Sequence, residues 1–336
     1  MVPLSVVYWE ATRRCNLVCR RCAAASQPSV GWTGLDTNGG LDLIDAVARA
    51  GATVLALSGG DPLCRPDVFD LAEYGTQSGL RIALATNGSL VTARMAARIA
   101  DAGIARVAVG VDGPDAEVHD ALRGVAGSHA WAVRSVSRLR DEGVSVQINA
   151  ALVRQNFAGA RALLDMAVAL GADALHFFAP VPASCRLDIG AGDALSPDDF
   201  ARLLAWLDRQ SRGCPLDLKA TWAPRYHFVR AAGGRGLTAG AGPSPTFLTD
   251  GSGRGGACFV SHEGSVHPRD AAAALGGIGR PKRFVDSWTA SDGSVRQRDV
   301  LAFASFVPEE PFCNPRFPFD PSATTLEEDR HDSSIH

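Results

Sequence analysis

Short apolar runs alternate with amphipathic stretches through the first half of the chain, and that alternation limits the possible folds more than any other feature. Residues 5–10, 53–58, 81–86, 106–111, 145–152 and 174–179 are dense in Val, Leu, Ile and Ala and read as strands. Between them, residues 41–50, 94–102, 130–142 and 160–170 carry apolar side chains at i, i+3, i+4 spacing and read as helices. Strands apolar on both faces and joined by helices predict an α/β fold with a parallel sheet under a helical layer. Six such units predict a partial (β/α)6 TIM-like barrel. A doubly wound open sheet has the same periodicity and stands as the alternative. Hydrophobic residues make up 46% of the 336-residue chain, enough to fill a core of that size.

The polar and glycine-rich features all fall at strand C-terminal ends. Cys15, Cys19 and Cys22 follow the first strand in the run WEATRRCNLVCRRC. SGGDP (58–62) follows the second strand, and TNGS (86–89) ends the third. VDGP (111–114) ends the fourth, Asn149 lies late in the fifth, and PVPASCR (180–186) follows the sixth. Active sites of parallel α/β folds are built on that edge.

The spacing CxxxCxxC places three thiolates on one tight loop. Such a loop can hold three corners of a cubic iron–sulfur cluster, which normally takes four cysteines, and so leaves one iron open to another ligand. By itself the loop could instead hold zinc with a distant fourth ligand. Cys64, Cys185, Cys214, Cys258 and Cys313 make up the eight. Most of these five read as small buried apolar residues. The apolar start VPLSVVYW is too short to span a membrane and lacks a charged leader, so a reducing cytoplasm is expected. A net charge of −3 gives no general attraction to nucleic acid or an anionic membrane.

Beyond residue 195 the character changes. An amphipathic helix is expected at 197–209, then a Gly/Pro/Ser-rich stretch at 233–256. ACFVSHEGSVHP (257–268) reads as a hairpin with Glu263-Gly264 at its turn. The expected division is a barrel core at 1–195, a C-terminal extension at 196–319 and a polar, disordered tail at 320–336.

CxxxCxxC after the first strand, with SGGDP after the second, resembles the radical SAM superfamily over residues 4 to about 190. That resemblance implies a [4Fe-4S] cluster on Cys15, Cys19 and Cys22, with S-adenosylmethionine chelating the open iron. It implies an electron donor such as flavodoxin or ferredoxin, reductive cleavage to a 5′-deoxyadenosyl radical, and hydrogen abstraction from a small-molecule substrate. Carried over residue by residue, Ser58, Gly59, Gly60 and Asp61 belong to the methionine end, with Asp61 in place of a frequent Glu. Asn87 and Asp112 would lie near the ribose or the substrate, Asn149 is a further cofactor-binding candidate, and Arg123 would meet the methionine carboxylate. Arg21 replaces a frequent aromatic residue, and Gly110 a frequent serine.

The same phrases, with DGPDAEVHDALRG, resemble the branch with a SPASM-type C-terminal extension. This chain keeps only Cys258 and Cys313 there, too few for a further cluster of the usual kind. One cluster and a degenerate extension are therefore expected. Overall likeness points to lyases of the cytosylglucuronate decarboxylase type, acting on a sugar-acid nucleoside in antibiotic biosynthesis by dehydration and decarboxylation. Arg186, Lys219 and Arg225 are candidate partners for the sugar carboxylate. Glu10 is a candidate general base, hydroxyl anchor or support for the loop backbone. The alternatives are a haem-precursor side-chain decarboxylase, a peptide maturase, or a non-catalytic iron–sulfur or zinc scaffold.

Overall fold

β1 (Leu4–Thr12) carries the chain from the helix-covered core directly to the cysteine loop. The computed structural model describes residues 4–19, 22, 34–178, 193, 195–221, 256–264 and 266–267. Arg186, Arg225, Cys185, Cys313, most of the 233–256 stretch and the tail from 320 lie outside these residues. After β1 come α1 (Thr37–Arg49), β2 (Val54–Gly59), α2 (Val68–Gln77), β3 (Arg81–Thr86) and α3 (Ala93–Asp101). Then follow β4 (Arg106–Gly110), α4 (Ala116–Arg123), α5 (Ser128–Asp141), β5 (Ser145–Ala151), α6 (Ala160–Ala169) and β6 (Ala174–Phe178). The remaining elements are α7 (Pro197–Gln210), β7 (Asp217–Thr221), β8 (Gly256–Val260) and β9 (Val266–His267).

Among the described residues, nine strands form one sheet, in the order β7-β6-β5-β4-β3-β2-β1-β8-β9. Of the pairings between them, only β8/β9 is antiparallel. From β1 to β7 each strand is laid beside its predecessor without a reversal of direction. Right-handed crossovers that always step the same way put every helix on one face. A doubly wound sheet needs a reversal, so that alternative is excluded, and the sheet curls into the half-barrel that the sequence predicts.

The two faces of the sheet are chemically different. One presents Val7, Trp9, Leu55, Leu57, Ile82, Leu84, Val107, Val109, Val146, Ile148, Leu175 and Phe177 to the helices, where Ile44, Leu71, Ile99, Leu139 and Leu163 meet them. On the other face, β1 to β3 carry the separate cluster Val6, Val54, Ala56 and Ala83, with Tyr8 against it. Further round, that inner face turns polar: Arg106, Gln147, His176 and Lys219 are all buried there.

Local signals set the helix ends. Asp36, Thr92, Asp115 and Ser196 each accept a backbone N–H of the first turn, the usual work of an N-cap. Gly124 ends α4 in the left-handed conformation, φ 70°. The strand β7 is not apparent from sequence, because five residues just beyond Gly213-Cys214-Pro215-Leu216 are too few to show a period. β7 and β8, both from the segment read as an extension, pair with β6 and β1 of the core sheet. The hairpin turn runs from Ser261 to Gly264, so His262 and Glu263 occupy its corners, one residue earlier than expected.

Arg65 ties the layers together. Its guanidinium donates to Ala11 O (2.8 Å), Leu35 O (3.0 Å) and Asp36 O (3.3 Å). It pairs with Asp67 through Nε at 2.8 Å and Nη2 at 2.9 Å, and lies 5.1 Å from the Trp9 ring centre. The residue is 1% exposed, so its charge is matched entirely by protein groups. Removing one partner of a buried ion pair costs about 3–5 kcal/mol. Arg65→Met is expected to lower the unfolding free energy by that much, read as a lower urea midpoint at unchanged slope, and a loss below about 1 kcal/mol would refute the role.

His119 gives a pH-dependent counterpart. Its Nδ1 accepts the Asp112 N–H at 3.0 Å, and burial pushes the imidazole down to about 4. The folded value lies below the unfolded one, so stability is whole above about pH 6.5 and is lost as pH falls toward 4. The full loss is about 3 kcal/mol. The stability gap between the native chain and His119→Gln should narrow across that window in parallel urea titrations; a constant gap would contradict it.

Candidate active site

The cysteine loop is held by the end of β2. Gly60 N–H donates to Thr12 O (2.8 Å) and Asp61 N–H to Arg14 O (2.9 Å). A Cβ on Gly59, at φ 123°, would lie 2.1 Å from Thr12 O, and one on Gly60 would lie 2.2 Å from Arg14 O. The glycine pair is therefore required by backbone packed on backbone at the root of the loop. Sequence reasoning places these glycines against the methionine; the structure gives them this prior task.

Asp61 is fully buried, and its carboxylate is shared between elements. Oδ2 accepts from Thr86 Oγ1 (2.8 Å) and Asn87 N (2.9 Å), and Oδ1 accepts from Leu63 N (3.0 Å). Burial raises its pKa, against the pull of those donors. The side chain thus locks the third-strand turn to SGGDP. Ser58 Oγ likewise donates to Trp9 O at 3.2 Å.

The turn after β3 reaches the cysteines. Asn87 Nδ2 lies 3.6 Å from Cys15 Sγ and donates to Asn16 Oδ1 at 3.1 Å, while Asn16 donates to Ser89 Oγ at 2.7 Å. Leu17 N–H points at Cys15 Sγ from 3.4 Å. Cys64 Sγ accepts the Asn16 N–H, a contact that the sequence did not signal.

Arg123 stands on the other side. Its Nε lies 2.7 Å from Asp112 Oδ2, and its guanidinium also hydrogen-bonds the Cys19 thiol. Asp112 Oδ1 in turn accepts Ala151 N–H at 3.0 Å. Burial opposes the charge on Arg123, but Asp112 and Cys19 outweigh it and hold the pKa up. A Cβ on Gly110 would lie 2.5 Å from Arg123 Nη2. The residue that replaces a serine thus makes room for the guanidinium.

These surroundings suit a cluster. Burial pushes the Cys15 thiol up to about 11, and it also raises Cys19. Iron bonding and the adjacent guanidinium supply the compensation that a buried thiolate needs. Cys22 is half-buried and electrostatically coupled to Cys19. No group of three or more His, Cys, Asp or Glu among the described residues is close enough to share one metal ion. A cubic cluster places each cysteine sulfur on its own iron, so its ligands need not share one ion.

Glu10 and Lys219 occupy more constrained positions than free catalytic groups would. Glu10 Oε1 meets Arg13 Nε at 3.3 Å, and Oε2 meets His262 N (3.3 Å) and Nδ1 (3.0 Å). His262 is 252 positions away in sequence, and only folding brings it to the loop root. Lys219 is buried and paired with Asp217; burial lowers its pKa. Asn149 sits on β5, opposite Gly110 on one side and His176 on the other, and accepts Gln147 Nε2 at 2.7 Å.

A family model for the radical SAM superfamily matches residues 9–167. An AdoMet-dependent heme synthase of Methanosarcina barkeri is 37% identical over 92% of this chain and 95% of its own length. The mycofactocin maturase of Mycobacterium tuberculosis is 32% identical over 59% of this chain and 50% of its own. Among solved structures, Streptococcus suis SuiB, crystallised with its precursor peptide SuiA, superposes with a TM-score of 0.68 at 14% identity, covering 91% of this chain and 68% of that one. None of these supports the sugar-nucleoside expectation, and the full-length likeness favours the haem-precursor alternative. No helix of the described residues is long and apolar enough to cross a membrane. By motif, fold and full-length likeness, the chain belongs to the radical SAM superfamily, whose members work with a [4Fe-4S] cluster and S-adenosylmethionine.

Proposed function

We propose that this enzyme acts in haem formation, converting a propionate side chain of an iron-tetrapyrrole precursor into a vinyl group. The carrying observation is that likeness to the haem synthase runs through both halves of the chain, whereas likeness to the peptide maturase covers little more than half. The substrate-binding half is the part that differs among such enzymes, so coverage there weighs more than the shared motif.

Bound at the cysteine loop, the cluster and S-adenosylmethionine supply a 5′-deoxyadenosyl radical. The chain's own residues bind and orient. Cys15, Cys19 and Cys22 ligate the cluster, and Arg123, steadied by Asp112, takes the methionine carboxylate. Asn87 tempers the charge on Cys15. The propionate loses one hydrogen atom from the carbon next to the ring, carbon dioxide from the carboxyl end, and one electron. That electron passes to an external one-electron acceptor of the ferredoxin or flavodoxin class, since the chain holds a single cluster in this reading.

Anaerobic reconstitution is expected to load about four irons and four sulfides per chain; about eight would refute the single cluster. Cys15→Ala should abolish 5′-deoxyadenosine formation with dithionite, and retained cleavage would remove that ligand assignment. Arg123→Met should raise the KM for S-adenosylmethionine by about tenfold or more; an unchanged KM would reassign the residue. With iron coproporphyrin III, mass spectrometry should show loss of carbon dioxide and a vinyl-bearing product. Turnover of a uronic-acid nucleoside instead, with the tetrapyrrole untouched, would overturn the reading.

A further inference from the structure

The polar part of the inner face has a defined order. Gly110, Asn149, His176 and Lys219 are neighbours in register across β4, β5, β6 and β7. Residues in register share a face, so this row leads from Arg123 at Gly110, beside Cys19, to Lys219. His176 is 2% and Lys219 5% exposed.

The hydrogen bonds fix which way these groups face. Gln147 Nε2 donates to Asn149 Oδ1 (2.7 Å) and lies 2.9 Å from His176 Nδ1. An amide nitrogen only donates, so Nδ1 accepts and Nε2 carries the ring proton. Burial, with Lys219 and Arg106 nearby, pushes the His176 pKa well down, so the ring is neutral. His176 Nε2 and Gln147 Oε1 are buried with no hydrogen-bond partner among the described residues. Lys219 Nζ is ion-paired with Asp217 and has no well-aligned hydrogen bond there. A buried polar atom left without a hydrogen bond is destabilising, so a row with such atoms is costly as packing alone.

We propose that His176 is a substrate-positioning residue, its Nε2–H and the Lys219 ammonium together receiving a carboxylate of the substrate on the β5–β7 side of the half-barrel. Under the haem-precursor reading, on which the choice of substrate rests, that group is a propionate that is retained. Asp217 holds the ammonium in place, Gln147 fixes the ring, and Asn149 fixes Gln147. The row then sets the distance between the anchored carboxylate and the reacting side chain nearer the cysteines.

The test uses reconstituted, full-length enzyme under anaerobic conditions and two probes. Sodium propionate should shift the imidazole 15N resonances of His176 saturably, and the effect should vanish in His176→Phe. With iron coproporphyrin III, His176→Phe should raise KM about tenfold while altering kcat less, and His176→Asn, which keeps an N–H on that face, should recover much of the loss. If propionate shifts His176 but the tetrapyrrole is neither bound nor converted, the anchor stands and the haem reading falls. If the tetrapyrrole is converted with the same KM by the native enzyme and His176→Phe, the anchor falls and the haem reading stands. Should neither probe perturb His176 in the native enzyme, the anchor is overturned without recourse to a variant that fails to fold.

Discussion

The whole rim depends on how closely two backbones can lie. Gly59 and Gly60 rest on the carbonyls of Thr12 and Arg14, where a side-chain carbon would sit at 2.1 and 2.2 Å. That contact fixes where the cysteine loop leaves β1. Asp61, next in the chain, then carries the position onward to Thr86 and Asn87, and Asn87 returns it to Cys15. The loop is thus located by its neighbours before any metal arrives. Metal binding then spends less free energy on ordering the chain.

This explains a division of labour that motif reading blurs. In SGGDP the first four residues each have a structural duty: Ser58 bonds Trp9 O, the glycines admit the loop, and Asp61 joins two turns. The motif's backbone edge remains to face a ligand, while its side chains are turned inward. Arg123 is the opposite case, a side chain whose position is set by one ion pair and one absent Cβ, with donors still directed at the cysteine loop.

The fold was legible because it is written in local periods. Six apolar runs and their helices follow from i, i+3, i+4 spacing, and the polar residues at their ends mark the rim. Strand order was not legible, since open and curled sheets share a period; only the unreversed pairing of β1 through β7 decides it. The Glu10–His262 contact was hidden for a different reason. It joins residues 252 apart, through a hairpin whose pairing with β1 leaves no trace in local spacing. Arg65 was passed over because a lone arginine after SGGDPLC looks like surface charge until the carbonyls around it are known. The family was legible, but the choice within it was not, because the motif encodes the radical source and not the molecule attacked.

What distinguishes one substrate from another is built on the inner face, and there the chain is lopsided. The β1–β3 side is apolar, with Val6, Val54, Ala56 and Ala83 packed around Tyr8. The β4–β7 side is polar and mostly neutralised within itself: Arg106 donates to Ser145, Ser145 to Asp173, and Lys219 pairs with Asp217. A flat macrocycle with acidic edges has both kinds of surface, an apolar plane and carboxylates at its rim. Under the proposed reading, an apolar wall beside a polar row fits those two surfaces at once, with the retained carboxylate drawn away from the cysteines and the reacting one left near them. A wholly polar sugar acid would leave the apolar wall without a counterpart. The asymmetry of the lumen therefore bears on substrate choice through physical matching, independently of which relatives the chain most resembles.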